Sequence, residues 1–262
     1  MKLYHRLYGD AKGAPAILLH GLLGSSDNWH RFAQKLSIQR RIFSIDLRNH
    51  GRSPHSAIHD YSSMAEDIIE TMDEAGITQA DLIGHSMGGK LAMEIALSYH
   101  ERVRRLVVED AVPGKTPPRA RHYLEMLREI DLSKIHTRRS AEESLNNIIS
   151  DRSMLLFLLK NLDRDGEGNY SWKANLDALH THYDRISEGL QENRIFSGPV
   201  LFIAGERSDV VNIESMQEIR TMFPDFRIER IEGAGHWVHA DAPEIFLSLL
   251  GDFLDEGQQL DG

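Results

Sequence analysis

Short apolar runs recur along this chain, and each is followed by a glycine or a polar residue before a helix-like segment begins. Strands that are apolar along their whole length are buried on both faces, as in a parallel sheet that helices cover. The alternation therefore predicts an α/β fold with a mostly parallel central sheet and helices on both faces. The predicted strands are 3–8, 16–19, 42–45, 82–83, 106–108, 200–203 and 226–231.

Between residues 113 and 198 the alternation stops, and the sequence has helical periodicity only. Prolines open this stretch, and Ser197-Gly198-Pro199 closes it. We therefore predict an inserted, all-helical cap at 113–198 on a core formed by residues 1–112 and 199–262. The run 154–159 is apolar on every side, so its helix is expected to be buried all round. The predicted cap helices are approximately 119–130, 141–149, 153–162 and 172–190.

Several local signals place the ends of helices. The pattern S-x-x-E, which is typical of a capping box, occurs at Ser63 and at Ser140 and predicts that each serine caps a helix. Gly76 is a plausible stop for the first of these helices, and Pro243 indicates the start of the last helix. The tail after Glu256 is expected to be frayed.

The segment Gly84-His85-Ser86-Met87-Gly88 has the pattern G-x-S-x-G and lies between a predicted strand and a predicted helix. In that context the serine lies on a sharp, strained turn that exposes its hydroxyl above the sheet. The glycines allow neighbouring backbone to approach closely. The pattern alone also fits an ordinary serine-containing turn. The flanking strand and helix favour the interpretation of Ser86 as a nucleophile.

A serine hydroxyl needs a base to take its proton, and histidine is suited to this near neutral pH. Among the fourteen histidines, His236 ends the small-residue loop 233–236 after a predicted strand, where α/β sheets place their site residues. It also comes last in the order serine, acid, histidine. Nearby His239 is expected to line the mouth of the pocket. With no cysteine, and with His180 and His182 pointing apart on a helix, no metal site is predicted.

An oxyanion hole requires two backbone N–H groups that point at one position. Met87, directly after the serine, would supply one N–H at the start of a helix. Leu22, in the loop His20-Gly21-Leu22-Leu23-Gly24 after an early strand, would supply the second. A plain glycine turn is the alternative, but the position of this loop after a buried strand favours the functional interpretation.

Two residues compete for the role of the acid. In Gly205-Glu206-Arg207-Ser208-Asp209 the usual acid position, three residues after the glycine, is Ser208, so Asp209 comes one residue late. Asp110 ends the strand 106–108 and precedes the cap. We favour Asp110, because a shift of one residue re-aims a side chain by most of a right angle or more, and we keep Asp209 as the alternative acid.

The composition limits the partners and the location. Forty acidic residues against thirty basic ones give a net charge of −10, which argues against nucleic acid as the main partner. The first residues contain no apolar stretch, and no run approaches the length of a membrane span. We therefore expect a cytoplasmic monomer or weak dimer that acts on a small molecule, with no membrane partner.

The start of the predicted cap is locally basic. Residues 113–139 contain seven basic and three acidic residues, in a chain that is acidic overall. A solvated helix face accounts for many such runs. The sharper hypothesis is that Arg119 and Arg121 bind an anionic substrate group, either the phosphates of an acyl-CoA or a free carboxylate on the acyl group, because a guanidinium binds two oxygens at once.

Four motifs together resemble those of the α/β-hydrolase superfamily, and the resemblance covers essentially the full chain. They are His20-Gly21, residues 46–53, residues 84–89 and Gly235-His236. The variant Arg-Asn-His-Gly at 48–51 resembles the YbfF-like esterases and related abhydrolase-11-type proteins. Residues 107–113 are similar to their acid-bearing loop, which supports Asp110. The resemblance implies a carboxylesterase of short acyl chains, with thioesterase activity on acyl-CoA as a further option, a helical cap and no cofactor.

Other functions share this scaffold. Carbon–carbon hydrolases, cofactor-free haloperoxidases and a lyase of menaquinone synthesis resemble it and remain open as alternatives. Dehalogenases and epoxide hydrolases are disfavoured, because their nucleophile is an aspartate. A hydrolase that had become a ligand-binding receptor would be expected to lack a member of the triad, and none is missing here.

Overall fold

The computed structural model describes residues 1–10, 13–146 and 148–256, and it contains a central sheet with helices on both faces. Within the described residues, no helix combines the length and the apolar character that a membrane crossing requires. The strands are β1 (His5–Tyr8), β2 (Gly13–Leu19), β3 (Arg40–Ile45), β4 (Ala80–His85), β5 (Val103–Glu109), β6 (Leu162–Arg164), β7 (Tyr170–Trp172), β8 (Val200–Gly205) and β9 (Phe226–Ile231).

The helices lie between the strands, in the segment between β5 and β8, and after β9. They are α1 (His30–Leu36), α2 (Tyr61–Glu74), α3 (Met87–Ser98), α4 (Arg121–Glu129), α5 (Arg138–Asn146), α6 (Arg152–Leu159), α7 (Leu176–Thr181), α8 (Tyr183–Ser187), α9 (Ile213–Met222), α10 (Val238–Asp241) and α11 (Pro243–Asp255).

The sheet confirms the predicted fold class. In the described part of the chain seven strands pair in the order β1-β3-β2-β4-β5-β8-β9. Strand β1 is antiparallel to β3, and the other neighbours are parallel. The predicted strands all fall within, or overlap, the observed ones. Alternate residues pack on opposite faces: Ile17 belongs to the core beneath α2 and α3, and Leu18 packs with Trp29 and Phe246 on the other face.

The register aligns the carboxyl ends of neighbouring strands along one edge of the sheet. Leu19 pairs with Gly84, and His85 with Glu109. The loops that follow β2, β4, β5 and β9 therefore begin close together.

The segment between β5 and β8, residues 113–198, differs from the all-helical prediction. It contains the antiparallel hairpin β6–β7, and the predicted helix 172–190 begins only at Leu176 and is divided into α7 and α8. The hairpin turn is closed by Asp165, whose carboxylate accepts hydrogen bonds from the backbone N–H groups of Glu167 and Asn169. The sequence Asp-Gly-Glu-Gly-Asn at 165–169, between the predicted helices 153–162 and 172–190, has the composition of a hairpin turn.

Both capping predictions were wrong by a few residues. Helix α2 begins earlier than expected, because the side chain of Asp60 caps it and Ser63 lies inside the first turn. Helix α5 likewise begins at Arg138, before Ser140. The stop at Gly76, which has a φ of 66°, and the start at Pro243 are confirmed.

The prediction that the run 154–159 is buried on every side was also wrong, because Leu156 is 43% exposed. Helix α6 thus has one face in solvent. The tail after Glu256, expected to be frayed, lies outside the described residues, as does residue 147 near the predicted end of the second cap helix.

Candidate active site

Ser86, His236 and Asp110 lie together at the carboxyl edge of the sheet. Ser86 follows β4, Asp110 follows β5, and His236 is in the loop after β9. His236 Nε2 is 3.1 Å from Ser86 Oγ, and His236 Nδ1 is 2.6 Å from Asp110 Oδ2. A hydroxyl, an imidazole and a carboxylate are thus connected in one hydrogen-bonded row.

The backbone at Ser86 is strained, as the turn between β4 and α3 requires. Its φ of 53° and ψ of −116° are unfavourable for a residue with a side chain. A Cβ on Gly84 would lie 2.1 Å from the carbonyl oxygen of Gly88, and a Cβ on Gly88 would lie 2.3 Å from that of Leu19. Both positions therefore require glycine, and the hydroxyl of Ser86 is directed out of the sheet toward His236.

Asp110 is fixed from several sides. It is 1% exposed and has a φ of 46°. Ser208 Oγ donates a hydrogen bond of 2.6 Å to the same Oδ2 that faces His236. Ser208, which occupies the usual position of the acid in the sequence pattern, thus bonds to Asp110, the favoured candidate for the acid.

Asp209, the alternative acid, has a different partner. It is exposed, and its two carboxylate oxygens accept hydrogen bonds from the guanidinium of Arg119. His236 Nδ1 bonds to Asp110.

The loop after β2 places Leu22 at both cavities that Ser86 borders. Within the described residues, no hydrogen-bond acceptor is found for the N–H of Leu22 or for that of Met87, the first residue of α3. Leu23, next in the loop, has a φ of 60°. Among the described residues, the two N–H groups predicted to form an oxyanion hole thus have no protein acceptor, and both residues border the same cavity as Ser86.

Two cavities meet at Ser86. The large cavity has a volume of about 310 Å³ and is mainly apolar, with Trp29, Phe157 and Trp237 in its wall. The small cavity has a volume of about 140 Å³. Ser86, His236 and Leu22 border both cavities, as do Arg119, Ala120 and Val210.

The two arginines of the anion hypothesis have different positions. Arg119 borders both cavities, although its guanidinium is bound to Asp209. Arg121 borders neither cavity; it pairs with Asp184 and stacks 5.2 Å above the ring of Tyr183. The structure thus brings Arg119, and not Arg121, to the site.

Comparison with known proteins assigns the family. A family model described as "alpha/beta hydrolase fold" matches residues 15–243. The chain belongs to the α/β-hydrolase fold family. It is 38% identical to the sn-1-specific diacylglycerol lipase ABHD11 of Danio rerio, over 94% of this chain and 80% of the relative. It is 34% identical to esterase YbfF of Escherichia coli K12, over 93% and 94%. Among solved structures, a "Marine microorganism esterase" matches with a TM-score of 0.93 and 38% identity, covering 96% of this chain and 99% of that one.

Two buried histidines hold the Leu22 loop of this α/β hydrolase in place. His20 Nδ1 donates to the carbonyl of Gly21 at 2.8 Å, and its Nε2 accepts from Leu47 N at 3.0 Å. His50 Nε2 accepts from Leu23 N at 3.1 Å. Burial lowers the pKa of both imidazoles, so they stay neutral and keep one donor and one acceptor nitrogen each.

The segment 113–198 is fastened to the same region by two asparagines. The side-chain amide of Asn161 donates to the carbonyl of Leu23 at 2.6 Å. The backbone N–H of Asn175 donates to the carbonyl of Asn49 at 2.9 Å, and the two side chains are joined at 3.1 Å. Asn49 is buried with a φ of 65°. The Arg-Asn-His-Gly variant therefore places an asparagine where the chain needs a left-handed residue with a polar side chain.

Sequence reasoning missed a second carboxylate–histidine pair directly behind the first. Glu109 is fully buried and accepts hydrogen bonds from His239 N and Nδ1 at 2.8 and 2.7 Å. His239 borders the large cavity, as predicted, although it is only 8% exposed. His85, whose pKa burial lowers to about 3, donates from Nε2 to the carbonyl of His236 at 3.0 Å. These residues support the loop that carries His236.

The ligand atoms of His85, Glu109 and His239 all lie within 4.8 Å of one another, so this group of described residues could bind a metal ion. In the structure the carboxylate of Glu109 already accepts hydrogen bonds from His239 N and Nδ1, and His85 Nε2 donates to the carbonyl of His236. We therefore assign the group a supporting role.

Glu109→Gln is expected to destabilise the protein by about 2 kcal/mol at pH 7, because the buried N–H groups of His239 lose hydrogen bonds to a charged acceptor. Burial alone would raise the pKa of Glu109, but His239 and His85 lower it below 4.5. A lowered pKa gives stability that is present above the unfolded value and lost as the pH falls through the folded one. The difference from wild type should therefore shrink below about pH 4.5.

Urea unfolding at pH 7 and pH 4 measures this difference. Exposed Glu232→Gln is the matched control and should leave the unfolding midpoint unchanged. An equal loss in the two variants, or a loss that grows as the pH falls, would contradict the assigned role of Glu109.

Proposed function

We propose that this α/β hydrolase is a serine esterase that forms an acyl-enzyme on Ser86. The hydrogen-bonded row of Ser86, His236 and Asp110 is the observation that carries the proposal, since it supplies a nucleophile, a base and an orienting acid in contact. The names of the similar proteins, an esterase and a lipase, support ester hydrolysis as the reaction class.

The reaction follows from the positions of these atoms. Ser86 Oγ attacks the ester carbonyl carbon while His236 Nε2 takes its proton, and Asp110 stabilises the imidazolium through Nδ1. The oxyanion accepts hydrogen bonds from the N–H groups of Leu22 and Met87. When the carbon–oxygen bond to the alcohol breaks, His236 returns the proton to the leaving oxygen. Water, activated by the same imidazole, then hydrolyses the acyl-enzyme and restores Ser86.

The cavities support esters of limited size. A cavity of about 150 Å³ can hold a benzene molecule, so the large cavity has room for roughly twice that, about twelve non-hydrogen atoms. Its apolar wall favours a hydrocarbon group. We therefore propose short-chain carboxylic esters as substrates. The segment 113–198 contributes Tyr123, Met154 and Phe157 to this wall, which supports its role as the cap.

Activity against nitrophenyl esters of graded acyl length, with labelling by a fluorophosphonate, tests the proposal. We expect the rate to be highest for short chains and to fall for chains too long for the cavity. Mass spectrometry should locate the label on Ser86. The fraction of activity lost should equal the fraction of protein that is labelled. Labelling at another serine, or full activity after Ser86 is labelled, would overturn the acyl-enzyme mechanism.

We further propose acyl-CoA thioesters as a second substrate class, with Arg119 near the phosphates of the coenzyme. Arg119 is exposed and borders both cavities, so it can approach a ligand that extends from the site. Its partner Asp209 is also exposed, and an exposed ion pair contributes little, so a phosphate can compete for the guanidinium.

Arg119→Gln is expected to raise KM for a short acyl-CoA about tenfold relative to a neutral nitrophenyl ester, the size expected when a charged hydrogen bond is lost. Arg121→Gln is the matched control, because Arg121 borders neither cavity. Steady-state kinetics on both substrates measures the ratio. A ratio that is unchanged in Arg119→Gln, or that changes equally in both variants, would contradict the role of Arg119.

A further inference from the structure

Lys90 is a buried lysine beside the nucleophile. It lies on α3, where its backbone N–H donates to the carbonyl of Ser86 at 2.9 Å, so it is one helical turn beyond the serine. It is 2% exposed, and it borders the small cavity together with Ser86 and Met87. A basic side chain is thus buried at a cavity that Leu22 and Met87, the proposed oxyanion donors, also border.

The ammonium group of Lys90 has two neutral partners. Nζ donates to the backbone carbonyls of Gly114 at 2.7 Å and of Glu188 at 3.0 Å. In the described part of the chain no carboxylate lies within ion-pair distance of Nζ. The carboxylates of Glu218 and Glu188 attract the ammonium from farther away, and that of Glu188 is itself bound to Lys115. Burial lowers the pKa of Lys90 to about 8.

Within the described residues, the surroundings of the Lys90 ammonium lack a third hydrogen-bond acceptor and a close negative charge. An ammonium has three N–H donors, and two acceptors are found among the described residues. A buried charge is also costly unless a counter-ion accompanies it. A carboxylate in the small cavity would supply both the third acceptor and the negative charge.

We propose that the small cavity is a carboxylate-binding subsite, and that Lys90 selects esters whose acyl group ends in a free carboxylate. The proposal rests on the serine-esterase function above. By comparison with a cavity of about 150 Å³ that holds benzene, 140 Å³ accepts about six non-hydrogen atoms. The acyl part of a half-ester of a short dicarboxylic acid, such as succinate, has this size. The alcohol part then occupies the large apolar cavity.

A purely structural role for Lys90 is the competing explanation. Gly114 and Glu188 lie at the two ends of the segment 113–198, so the ammonium joins both ends of the cap to α3. Loss of that contact would lower activity on every ester alike. Recognition of a carboxylate would change the preference between an anionic ester and its neutral counterpart.

Two esters of equal shape separate these explanations. Ethyl hydrogen succinate and ethyl 4-methylpentanoate differ in having a carboxylate or an isopropyl group at the same position. The experiment measures kcat/KM for both esters at pH 7, from the release of ethanol, in the wild type, Lys90→Met, Lys90→Arg and Arg119→Gln. Arg119→Gln is the control for the other cation that borders the small cavity.

We expect the wild type to prefer the succinate ester. Lys90→Met should lower the ratio of the two kcat/KM values at least about tenfold, as expected for the loss of a charge-assisted hydrogen bond. Lys90→Arg should retain more of the preference than Lys90→Met, and Arg119→Gln should leave the ratio within about twofold of the wild type. An equal loss on both esters in Lys90→Met would overturn the proposal, as would a larger change of the ratio in Arg119→Gln.

The relative kcat/KM of the wild type on the two esters tests the proposed subsite even if Lys90→Met does not fold. A wild-type enzyme that hydrolyses ethyl 4-methylpentanoate more efficiently than the succinate ester contradicts the subsite and leaves the esterase function standing. A wild-type enzyme that hydrolyses neither of these esters nor any nitrophenyl ester contradicts the proposed function itself.

Discussion

Ser86→Ala is expected to lower kcat for ester hydrolysis by a factor on the order of 10⁶, because removal of a nucleophilic serine abolishes the covalent route. The side chain of Ser86 bonds to His236, and its backbone N–H is held by the carbonyl of Glu109 at 2.9 Å. The substitution keeps that backbone contact, so the thermal unfolding midpoint should stay close to that of the wild type.

The measurement is kcat on a short nitrophenyl ester, together with the melting temperature of each protein. Ser62→Ala, in an exposed position on α2, is the matched control and should retain full activity. If Ser86→Ala keeps more than about a hundredth of the wild-type kcat, the role of Ser86 as nucleophile is wrong.

Asp110→Asn should lower kcat by about 10⁴, the effect seen when the orienting acid of a serine protease is replaced by its amide. An asparagine at 110 can offer its NH₂ group to His236 Nδ1, which favours the tautomer with the proton on Nε2. That nitrogen can then no longer accept the proton of Ser86. The hydrogen bond from Ser208 to Asp110 makes the geometry rigid, so the imidazole cannot readily find another partner.

Asp209→Asn is the natural comparison, since Asp209 is the other candidate for the acid and differs in its partner. It removes a charge from an exposed pair with Arg119, and kcat should change by less than about tenfold. Values of kcat for the two variants on one neutral ester decide the assignment. A larger loss in Asp209→Asn than in Asp110→Asn would show that Asp209 is the acid.

The elements that sequence reasoning predicted well depend on local patterns. The strand before Ser86, the helix after it and the glycine spacing are contiguous, so the turn can be recognised without knowledge of the fold. His236 was selected by its position after a strand, which the parallel sheet converts into proximity to Ser86. The hairpin β6–β7 was missed because the apolar residues around it also fit a helix.

The parts that could not be predicted depend on tertiary neighbours. Glu109 is adjacent to Asp110 in sequence, but its role follows from burial against His239, which lies 130 residues away. In the sequence Lys90 is an ordinary helical lysine. Its buried position becomes clear only from the structure, where the carbonyls of Gly114 and Glu188 accept hydrogen bonds from Nζ. Asp209 comes one residue after the usual acid position and Asp110 follows a different strand, so the sequence left both as candidates. Their partners distinguish them, because Asp110 bonds to His236 and Asp209 to Arg119.

The bonds from Asn161 to Leu23 and from Asn175 to Asn49 have a consequence for enzyme engineering. Removing part of the segment 113–198, the proposed cap, would widen access to the large cavity, but it would also remove Asn161, which donates to the carbonyl of Leu23 beside Leu22. Such a truncation is therefore expected to loosen the loop that carries the proposed oxyanion donor. Broader substrate range in this protein is better sought by reducing side chains in the wall of the large cavity, such as Phe157, with both asparagines kept.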